Sequence, residues 1–524
     1  MNQSDSVLAI VGGGAAGVAT FIAAVRNRAA DVIYVIDPKP VGRGFAFSNS
    51  DDDILCNTSV DIMSVIDGKD SDFYDYLTSR GHDVSLDSYV PRPWFGDYLT
   101  DRYDQYRRIA LRQGIDVVHL RYRFKSLKIV GRQRYRLRFE EDFSPVSLEA
   151  TDIVFCVGFG AAQIPTALQP YRHHSAFVDC PYPESDLVNR VPHHSSVLVV
   201  GSKLSAVDAA IMLCRDGRKV TMISPSGDLL CVRSRFVRIR SHALDADAIR
   251  AITATTSPRS ARTDVHIRYR WMRYLTKTLA AVSSLPWRSQ FSDRPSVKER
   301  LLDEIEIAES GRNEWQDYVV PFVDALNEAA VKNGGTTLDE FNSLKKIIYR
   351  YVTGLALPNA KRIATLFERG VLTLRKGVLT RVVHEGDHGR WKVDWGEGEH
   401  NFDTIVSAAG YHFPNFVLNN DDEIEIDVYG GASPNTIGVS PELAAEHPRL
   451  SQESIWFVGP AAHLRMPLPN AVFIIAPVAN AVIASLMKMS MKRPLRLISS
   501  RTEKASVADR NALSAQRVDL ADID

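Results

Sequence analysis

Residues 7 to 17 read VLAIVGGGAAG, and this stretch decides the fold class of the chain. The apolar run at residues 7–11 predicts a buried parallel strand that ends at three glycines. A helical pattern follows over residues 18–28, and a second apolar run, residues 32–36, ends in Asp37. Strand, glycine turn, helix, strand and acid therefore occur in the order and spacing of a dinucleotide-binding unit.

Each residue type in this unit has a physical reason. Gly12 permits the tight turn, Gly14 leaves room for a pyrophosphate to approach backbone N–H groups, and Gly17 allows close helix–strand packing. The helix N-terminus offers partial positive charge to the phosphates. Asp37 can accept hydrogen bonds from ribose hydroxyls. The sequence therefore predicts that this turn binds an adenine dinucleotide.

A weaker copy of the unit begins with the strand at residues 196–200. The turn that follows reads GSKLSA, with Lys203 in place of the second glycine and Ala206 in place of the third. Alanine is tolerated at the third position. Two interpretations of Lys203 stay open: its charge contacts a nucleotide, or the turn no longer binds one. Gly201, Lys203 and Ser205 are the candidate contacts of this turn.

The strand after the second turn, residues 219–223, continues into Ser224 rather than an acid. An acid would favour NAD, because it binds the free ribose and repels a 2′-phosphate. Small hydroxyls with arginines nearby in sequence favour NADP instead. Ser224 and Arg233 are therefore predicted to contact NADPH, and the alternative is an ordinary solvated basic surface.

Composition narrows the function classes. The chain has 524 residues and equal numbers of basic and acidic residues, 63 each, so it lacks the positive field that draws proteins to nucleic acid. The five scattered cysteines form no CxxC pair, and no metal site is predicted. Together with an N-terminus lacking a basic segment, they predict a cytoplasmic protein. The apolar stretch at residues 471–487 is interpreted as a buried helix rather than a membrane span.

The whole pattern resembles the two-dinucleotide-binding flavoprotein superfamily, which includes flavin-dependent monooxygenases and glutathione-reductase-like enzymes, over about residues 5–490. This resemblance implies an α/β fold with two Rossmann-like domains, the first for FAD and the second for NAD(P)H. It also implies that a late strand closes the FAD site and that the next helix points its N-terminus at the flavin. Gly410, Gly459 and Asn470 are the implied FAD contacts.

Two shorter segments carry narrower resemblances. GRGFAF at residues 42–47 and LCNTS at residues 55–59 look like a less-characterised FAD/NAD(P)-binding subgroup. By that likeness Arg43, Asn57 and Thr58 lie close to the flavin, although Asn57 also suits a turn or cap. Residues 403–411 resemble the D-x3-(L/F)-ATG-(Y/H) motif of N-hydroxylating monooxygenases, with Ser407 and Ala409 as departures.

The expected domains follow from these assignments. An FAD-binding domain is expected at residues 1–170 and 365–490, and an NAD(P)H-binding domain at 171–244. A helical insert at 245–364 is the expected substrate region, and 491–524 is a polar tail.

The expected activity is that of an NADPH-dependent flavin monooxygenase that uses O2 to N-hydroxylate a primary amine or amino acid. Arg465 is a candidate clamp for a substrate carboxylate, or a surface or cofactor contact. Two rival hypotheses are a flavin dehydrogenase or reductase without oxygen insertion, and a scaffold whose nicotinamide site has decayed. Oligomeric state is left open.

Overall fold

The computed structural model describes residues 6–48, 50–140, 147–239, 244, 246–253, 261–332, 348–386, 389–431 and 433–491. The chain divides into a large unit, residues 1–487, and a short one, residues 488–524. Most of the predicted polar tail lies outside the described residues.

The strands are β1 (Val7–Val11), β2 (Val32–Ile36), β3 (Asp116–Leu120), β4 (Arg123–Gly131), β5 (Arg134–Glu140), β6 (Ser147–Ala150), β7 (Asp152–Phe155), β8 (Phe177–Val178), β9 (Ser196–Val200), β10 (Lys219–Ser224), β11 (Val232–Arg233), β12 (Leu355–Ala356), β13 (Leu372–Lys376), β14 (Arg381–His384), β15 (Trp391–Asp394), β16 (Glu399–Phe402), β17 (Thr404–Ser407), β18 (Asn415–Leu418), β19 (Glu423–Asp427), β20 (Gly438–Val439), β21 (Ala445–Glu446) and β22 (Ile455–Phe457).

The helices are α1 (Ala15–Asn27), α2 (Asp72–Ser79), α3 (Arg92–Arg112), α4 (Glu184–Arg190), α5 (Leu204–Arg215), α6 (Ala246–Thr253), α7 (Ala261–Val282), α8 (Val297–Glu309), α9 (Val319–Lys332), α10 (Leu357–Glu368) and α11 (Val472–Ser490). Short 3-10 helices cover Val60–Ile62, Thr166–Tyr171, Trp287–Gln290, Glu314–Tyr318, Pro448–Leu450 and Gly459–Ala462.

The first parallel sheet has the order β22-β7-β1-β2-β3, with every neighbouring pair parallel. Its central strand β1 is fully buried from Leu8 to Val11, as expected for a parallel strand covered on both faces. Helix α1 follows β1 directly and is buried along most of its length. The predicted strand–turn–helix–strand unit is confirmed.

The second parallel sheet has the order β13-β10-β9-β17-β8. The domain boundary expected at residue 365 is therefore wrong at this point. Strands β13 and β17 lie beyond that boundary, yet they pair with β10 and β9 of the second sheet. The apolar pattern of a segment predicts that it forms a buried strand, but it does not determine which sheet the strand joins.

The other sheets are antiparallel, except for the short parallel pair β11-β12. The largest has the order β18-β19-β4-β5-β6, and β14-β15-β16 forms a smaller one. The predicted insert contains the helices α6 to α9 and the start of α10, together with the short strand β12, which pairs with β11.

Helix α11 is the one described helix that is long and apolar enough to cross a membrane, and 44% of its apolar window is buried inside the protein. A core helix meets the same criteria. Residues Phe473 to Ala476, Ala479, Val482, Ile483 and Leu486 are buried, which agrees with the predicted buried helix.

Candidate functional site

The first glycine turn has the backbone geometry that its sequence predicts. Gly12 donates its N–H to the Ile36 carbonyl at 2.8 Å and has a φ of +110°. A Cβ at Gly12 would lie 2.6 Å from the Cys156 carbonyl oxygen, and a Cβ at Gly17 would lie 1.9 Å from the Gly12 oxygen. Any larger residue at either position would displace backbone, so both glycines are required by the fold itself.

The N-terminus of α1 is open to a phosphate. Gly14 is its N-cap, no side chain caps the helix, and the first turn holds no acid. A Cβ at Gly14 would meet only the Gly44 Cα, at an ordinary 3.5 Å. Backbone N–H groups at such an end lack partners within the helix and favour an anion. The turn therefore fits the pyrophosphate of a dinucleotide.

Asp37 lies at the carboxyl end of β2 beside this turn. Its two carboxylate oxygens accept hydrogen bonds from the N–H groups of Gly13 and Lys39, each at 2.8 Å. An ionised carboxylate offers about four acceptor positions. The half-buried carboxylate can therefore still accept from a ribose, and that role stays a prediction.

The residues assigned to the flavin by narrower resemblance have partners of their own. Arg43 forms an ion pair with Asp97 on α3. The Asn57 amide donates to the Thr353 carbonyl at 2.7 Å and accepts from the Ala356 N–H at 3.2 Å. These contacts favour the alternative interpretation of Asn57 as a turn residue. Thr58 is half-buried, and its proximity to the flavin stays a prediction.

The second glycine turn repeats the first. Gly201 donates its N–H to the Ile223 carbonyl at 2.8 Å, and a Cβ there would lie 2.4 Å from the Ala408 oxygen. Lys203 is the N-cap of α5, with φ −101° and ψ −166°, close to the −78° and −165° of Gly14. That backbone conformation suits any residue. Lysine at the second position therefore leaves the turn intact.

The Lys203 side chain lies over an aromatic ring. Its Nζ is 3.8 Å from the centroid of the Tyr349 ring, a cation–π geometry. The side chain is exposed, and Ser205 is half-buried in the first turn of α5. The first turn of α5 holds no acid and no side-chain cap. The contacts of Gly201, Lys203 and Ser205 with a nucleotide stay predictions.

Ser224 occupies the place in the second sheet that Asp37 has in the first, because each directly follows the residue that accepts from the first glycine. The Ser224 hydroxyl accepts from the Ser202 hydroxyl at 2.8 Å and from the Gly227 N–H at 3.1 Å. It is buried, with 7% of its surface exposed. Its contact with a 2′-phosphate stays a prediction.

The prediction that Arg233 contacts NADPH is wrong. Arg233 is fully buried, and its guanidinium donates to the backbone carbonyls of Val352, Asn57 and Thr353. Desolvation lowers its pKa to about 10. A guanidinium enclosed by backbone oxygens cannot reach a ligand in solvent.

The two other arginines near this strand in sequence are also engaged elsewhere. Arg218 is buried and donates to the Val191 carbonyl, and Arg235 forms an ion pair with Asp317. Sequence proximity to β10 therefore does not identify a cation for the ribose end of the site.

The late strand and loop reach the first turn from the other side. A Cβ at Gly459, just after β22, would lie 3.2 Å from the Ala16 Cβ in the first turn of α1. Asn470 is exposed, two residues before α11 begins. Gly410 follows β17, and its carbonyl accepts from the Gln163 N–H at 2.8 Å. The FAD contacts assigned to these residues stay predictions.

Arg465 lies in the loop between β22 and α11. Its guanidinium donates to the Val331 carbonyl near the end of α9 at 2.6 Å. A second hydrogen bond joins this loop to α9, because the Asn327 amide donates to the Leu468 carbonyl at 3.2 Å. Arg465 is half-buried where the late loop meets the helical insert, and its contact with substrate stays a prediction.

An aromatic cluster that the sequence analysis did not predict joins the segment that follows β2 to the segment that follows β17. The Phe45 ring of the GRGFAF segment lies 5.5 Å from the ring of Tyr411 and 6.0 Å from that of Tyr182. Phe159 adds a ring 5.8 Å from Tyr411. Phe45 and Phe159 are 46% and 40% exposed, unusual for phenylalanine. The sequence did carry a signal for this cluster, because the GRGFAF segment contains Phe45 and the motif at residues 403–411 contains Tyr411.

A half-buried carboxyl group is the other missed feature. Burial raises the pKa of Asp61 to about 7. The Ser59 hydroxyl donates to Asp61 Oδ1 at 2.8 Å, and the Phe236 N–H donates to the same hydroxyl at 2.9 Å. The Ser59 hydroxyl therefore links Asp61 to the segment that follows Arg233. The environment of Asp61 depends on contacts distant in sequence, so no local pattern marks it.

Comparisons with known proteins agree with this geometry. Residues 9–160 match a family described as FAD-NAD(P)-binding. The predicted cofactors, FAD and a nicotinamide dinucleotide, agree with that description. No curated protein matches this chain.

Solved structures with the same fold include two ornithine hydroxylases. One is the reduced form of PvdA from Pseudomonas aeruginosa, with TM-score 0.55 and 13% identity over 93% of this chain and 99% of that one. The other is KtzI from Kutzneria sp. 744 with reduced FAD, NADP+ and L-ornithine, with TM-score 0.50 and 13% identity over 93% and 100%. At this identity the likeness shows the fold. The predicted α/β fold class and the resemblance to two-dinucleotide flavoproteins are confirmed.

Proposed function

We propose that the flavoprotein is an NADPH-dependent monooxygenase that N-hydroxylates a small primary amine, most simply an amino acid. The observation that carries the proposal is the repetition of the first turn in the second. Gly12 and Gly201 make the same hydrogen bond and the same close approach, so each sheet presents a helix N-terminus to its own dinucleotide. The contact between the Phe45 and Tyr411 rings joins the two dinucleotide-binding units. Electron transfer between two cofactors requires that their sites lie close together.

The reaction is balanced as R–NH2 + O2 + NADPH + H+ giving R–NHOH + H2O + NADP+. The bound FAD supplies hydride acceptance and oxygen activation. The residues of this chain bind and orient. The N-terminus of α1 and Asp37 hold FAD, and the N-terminus of α5 holds NADPH. The aromatic rings of Phe45, Phe159 and Tyr411 line the junction between the two cofactor sites in this proposal.

Arg465 and the helical insert supply the substrate side in this proposal. A guanidinium can bind a carboxylate through two parallel hydrogen bonds, which suits an amino acid substrate. The hydrogen bond from Arg465 to α9 holds the Arg465 side chain at the border of the helical insert. A neutral amine is itself nucleophilic, so the reaction requires no catalytic triad. A cytoplasmic location, as expected from the sequence, belongs to the same proposal.

The decisive experiment supplies the FAD-loaded protein with NADPH and isotopically labelled O2. L-ornithine, L-lysine and simple primary amines serve as probes. We expect NADPH oxidation coupled to O2 uptake and an amine product that has gained one labelled oxygen atom, detected by mass spectrometry. Anaerobic turnover with a quinone and no labelled product would instead identify a dehydrogenase or reductase. No flavin reduction by either nicotinamide would identify a scaffold.

Lys203 tests the second turn separately. Moving its ammonium from the Tyr349 ring to a phosphate exchanges a contact worth about 0.5–1 kcal/mol for one worth about 1.5–3 kcal/mol. Lys203→Ala should therefore raise the KM for NADPH roughly five- to thirtyfold with little change in kcat. Lys203→Arg should retain most of the affinity. Steady-state flavin reduction measures both, and an unchanged KM in the alanine variant would refute the phosphate contact.

A further inference from the structure

The carboxyl ends of β10 and β13 meet beside the second glycine turn. Ser224 closes β10 at the place where a dinucleotide-binding unit has the residue that reaches the ribose 2′-oxygen. Here that residue is an uncharged hydroxyl, hydrogen-bonded to Ser202. This position therefore has no acid to repel a 2′-phosphate, and β10 has no basic residue at this end, because Lys219 lies at the opposite end of the strand.

The neighbouring strand, β13, supplies a cation at this position. Strand β13 runs parallel to β10, with Lys376 in register with Ser224, and the Gly377 N–H donates to the Ser224 carbonyl at 2.9 Å. Register partners project to the same face of a sheet. The Ser224 side chain faces the glycine turn, because it bonds to Ser202. Lys376 therefore projects to that face as well.

The turn after β10 packs against the stem of this lysine. A Cβ at Gly227 would lie 2.6 Å from the Lys376 Cβ, so only glycine allows the approach. Lys376 is exposed and makes no ion pair with a carboxylate among the described residues. Asp228, the acid in the same turn, is paired with Arg300. The ammonium is thus available to an anionic ligand, and the same turn carries the exposed Ser226.

We infer that Lys376 binds the 2′-phosphate of NADPH and sets the preference for NADPH over NADH. A phosphate monoester carries about −1.5 to −2 charges at neutral pH, and a lysine ammonium binds such a group as a point charge. The inference rests on the proposed function, in which the second turn holds NADPH. It assigns to β13 the role that the sequence suggested for arginines near β10.

Equilibrium binding measurements test the role of Lys376 without enzymatic turnover. The FAD-loaded protein is titrated calorimetrically with NADP+, NAD+ and 2′,5′-ADP. Lys376→Ala should weaken NADP+ and 2′,5′-ADP about ten- to a hundredfold and leave NAD+ unchanged, since only the first two carry the 2′-phosphate. Lys376→Arg should keep most of the preference. Lys125→Ala, which removes an exposed lysine from β4 in another sheet, should change none of the three.

The results that would overturn this inference differ from those that would overturn the proposed function. An NADP+ to NAD+ affinity ratio that is the same in Lys376→Ala and the parent would overturn the inference, as would a parent with no preference. Either result leaves the proposed hydroxylation intact, because that is measured by labelled oxygen in the product. Conversely, loss of the preference in Lys376→Ala supports the inference even if no amine is hydroxylated.

Discussion

Gly14→Val is expected to purify as a folded protein that has lost most of its FAD. The pyrophosphate would contact the N–H groups at the start of α1, and charge-assisted hydrogen bonds of this kind are worth about 1.5–3 kcal/mol each. A branched side chain at the N-cap blocks that approach. Loss of two such bonds lowers affinity by a factor of a hundred or more. The ratio of flavin to protein absorbance after desalting measures the occupancy.

The structure separates this effect from misfolding. A Cβ at Gly14 meets only the Gly44 Cα at 3.5 Å, and Lys203 shows that the equivalent N-cap accepts a side chain. Gly131→Val is the matched control, because its Cβ would meet only Arg134 atoms, at 3.9 Å, in a hairpin of another sheet. The control should retain full FAD occupancy. Full occupancy in Gly14→Val as well would refute the assignment of this turn.

The second large effect is expected at a buried ion pair that joins the two dinucleotide-binding units. Arg92, the first residue of α3, donates to Asp208 of α5 at 2.7 Å, and their side chains are 14% and 4% exposed. The Tyr182 hydroxyl donates to the same carboxylate oxygen. Removing one partner of such a pair leaves a buried charge without compensation, which costs about 3–5 kcal/mol.

Asp208→Asn should therefore lower the free energy of unfolding by about that amount, measured by urea denaturation of the FAD-loaded protein. Glu309→Gln is the matched control, because it removes a carboxylate from the exposed pair of Glu309 with Lys361. Exposed pairs are worth about 0–1 kcal/mol. Equal losses in the two variants would contradict the role of Asp208. A double-mutant cycle with Arg92→Met measures the coupling directly.

The sequence alone determined the features that depend on local backbone geometry. The first turn could be predicted because Gly12, Gly14, Gly17 and Asp37 act within one short strand–turn–helix–strand unit. The second turn could be recognised for the same reason, even with Lys203 and Ala206 in glycine positions.

Only the tertiary structure decided which distant segments meet at these turns. Arg233 is close to β10 in sequence, but carbonyls from residues 352 and 353 enclose it, and the fold excludes it from any site. Lys376 is far from β10 in sequence, yet strand pairing places it beside Ser224. Strand order within a sheet arises from the packing of the whole chain, because a local apolar pattern is the same whichever neighbour the strand finally has. For that reason the two glycine turns could be predicted from the sequence, whereas the position of Lys376 beside the second turn could not.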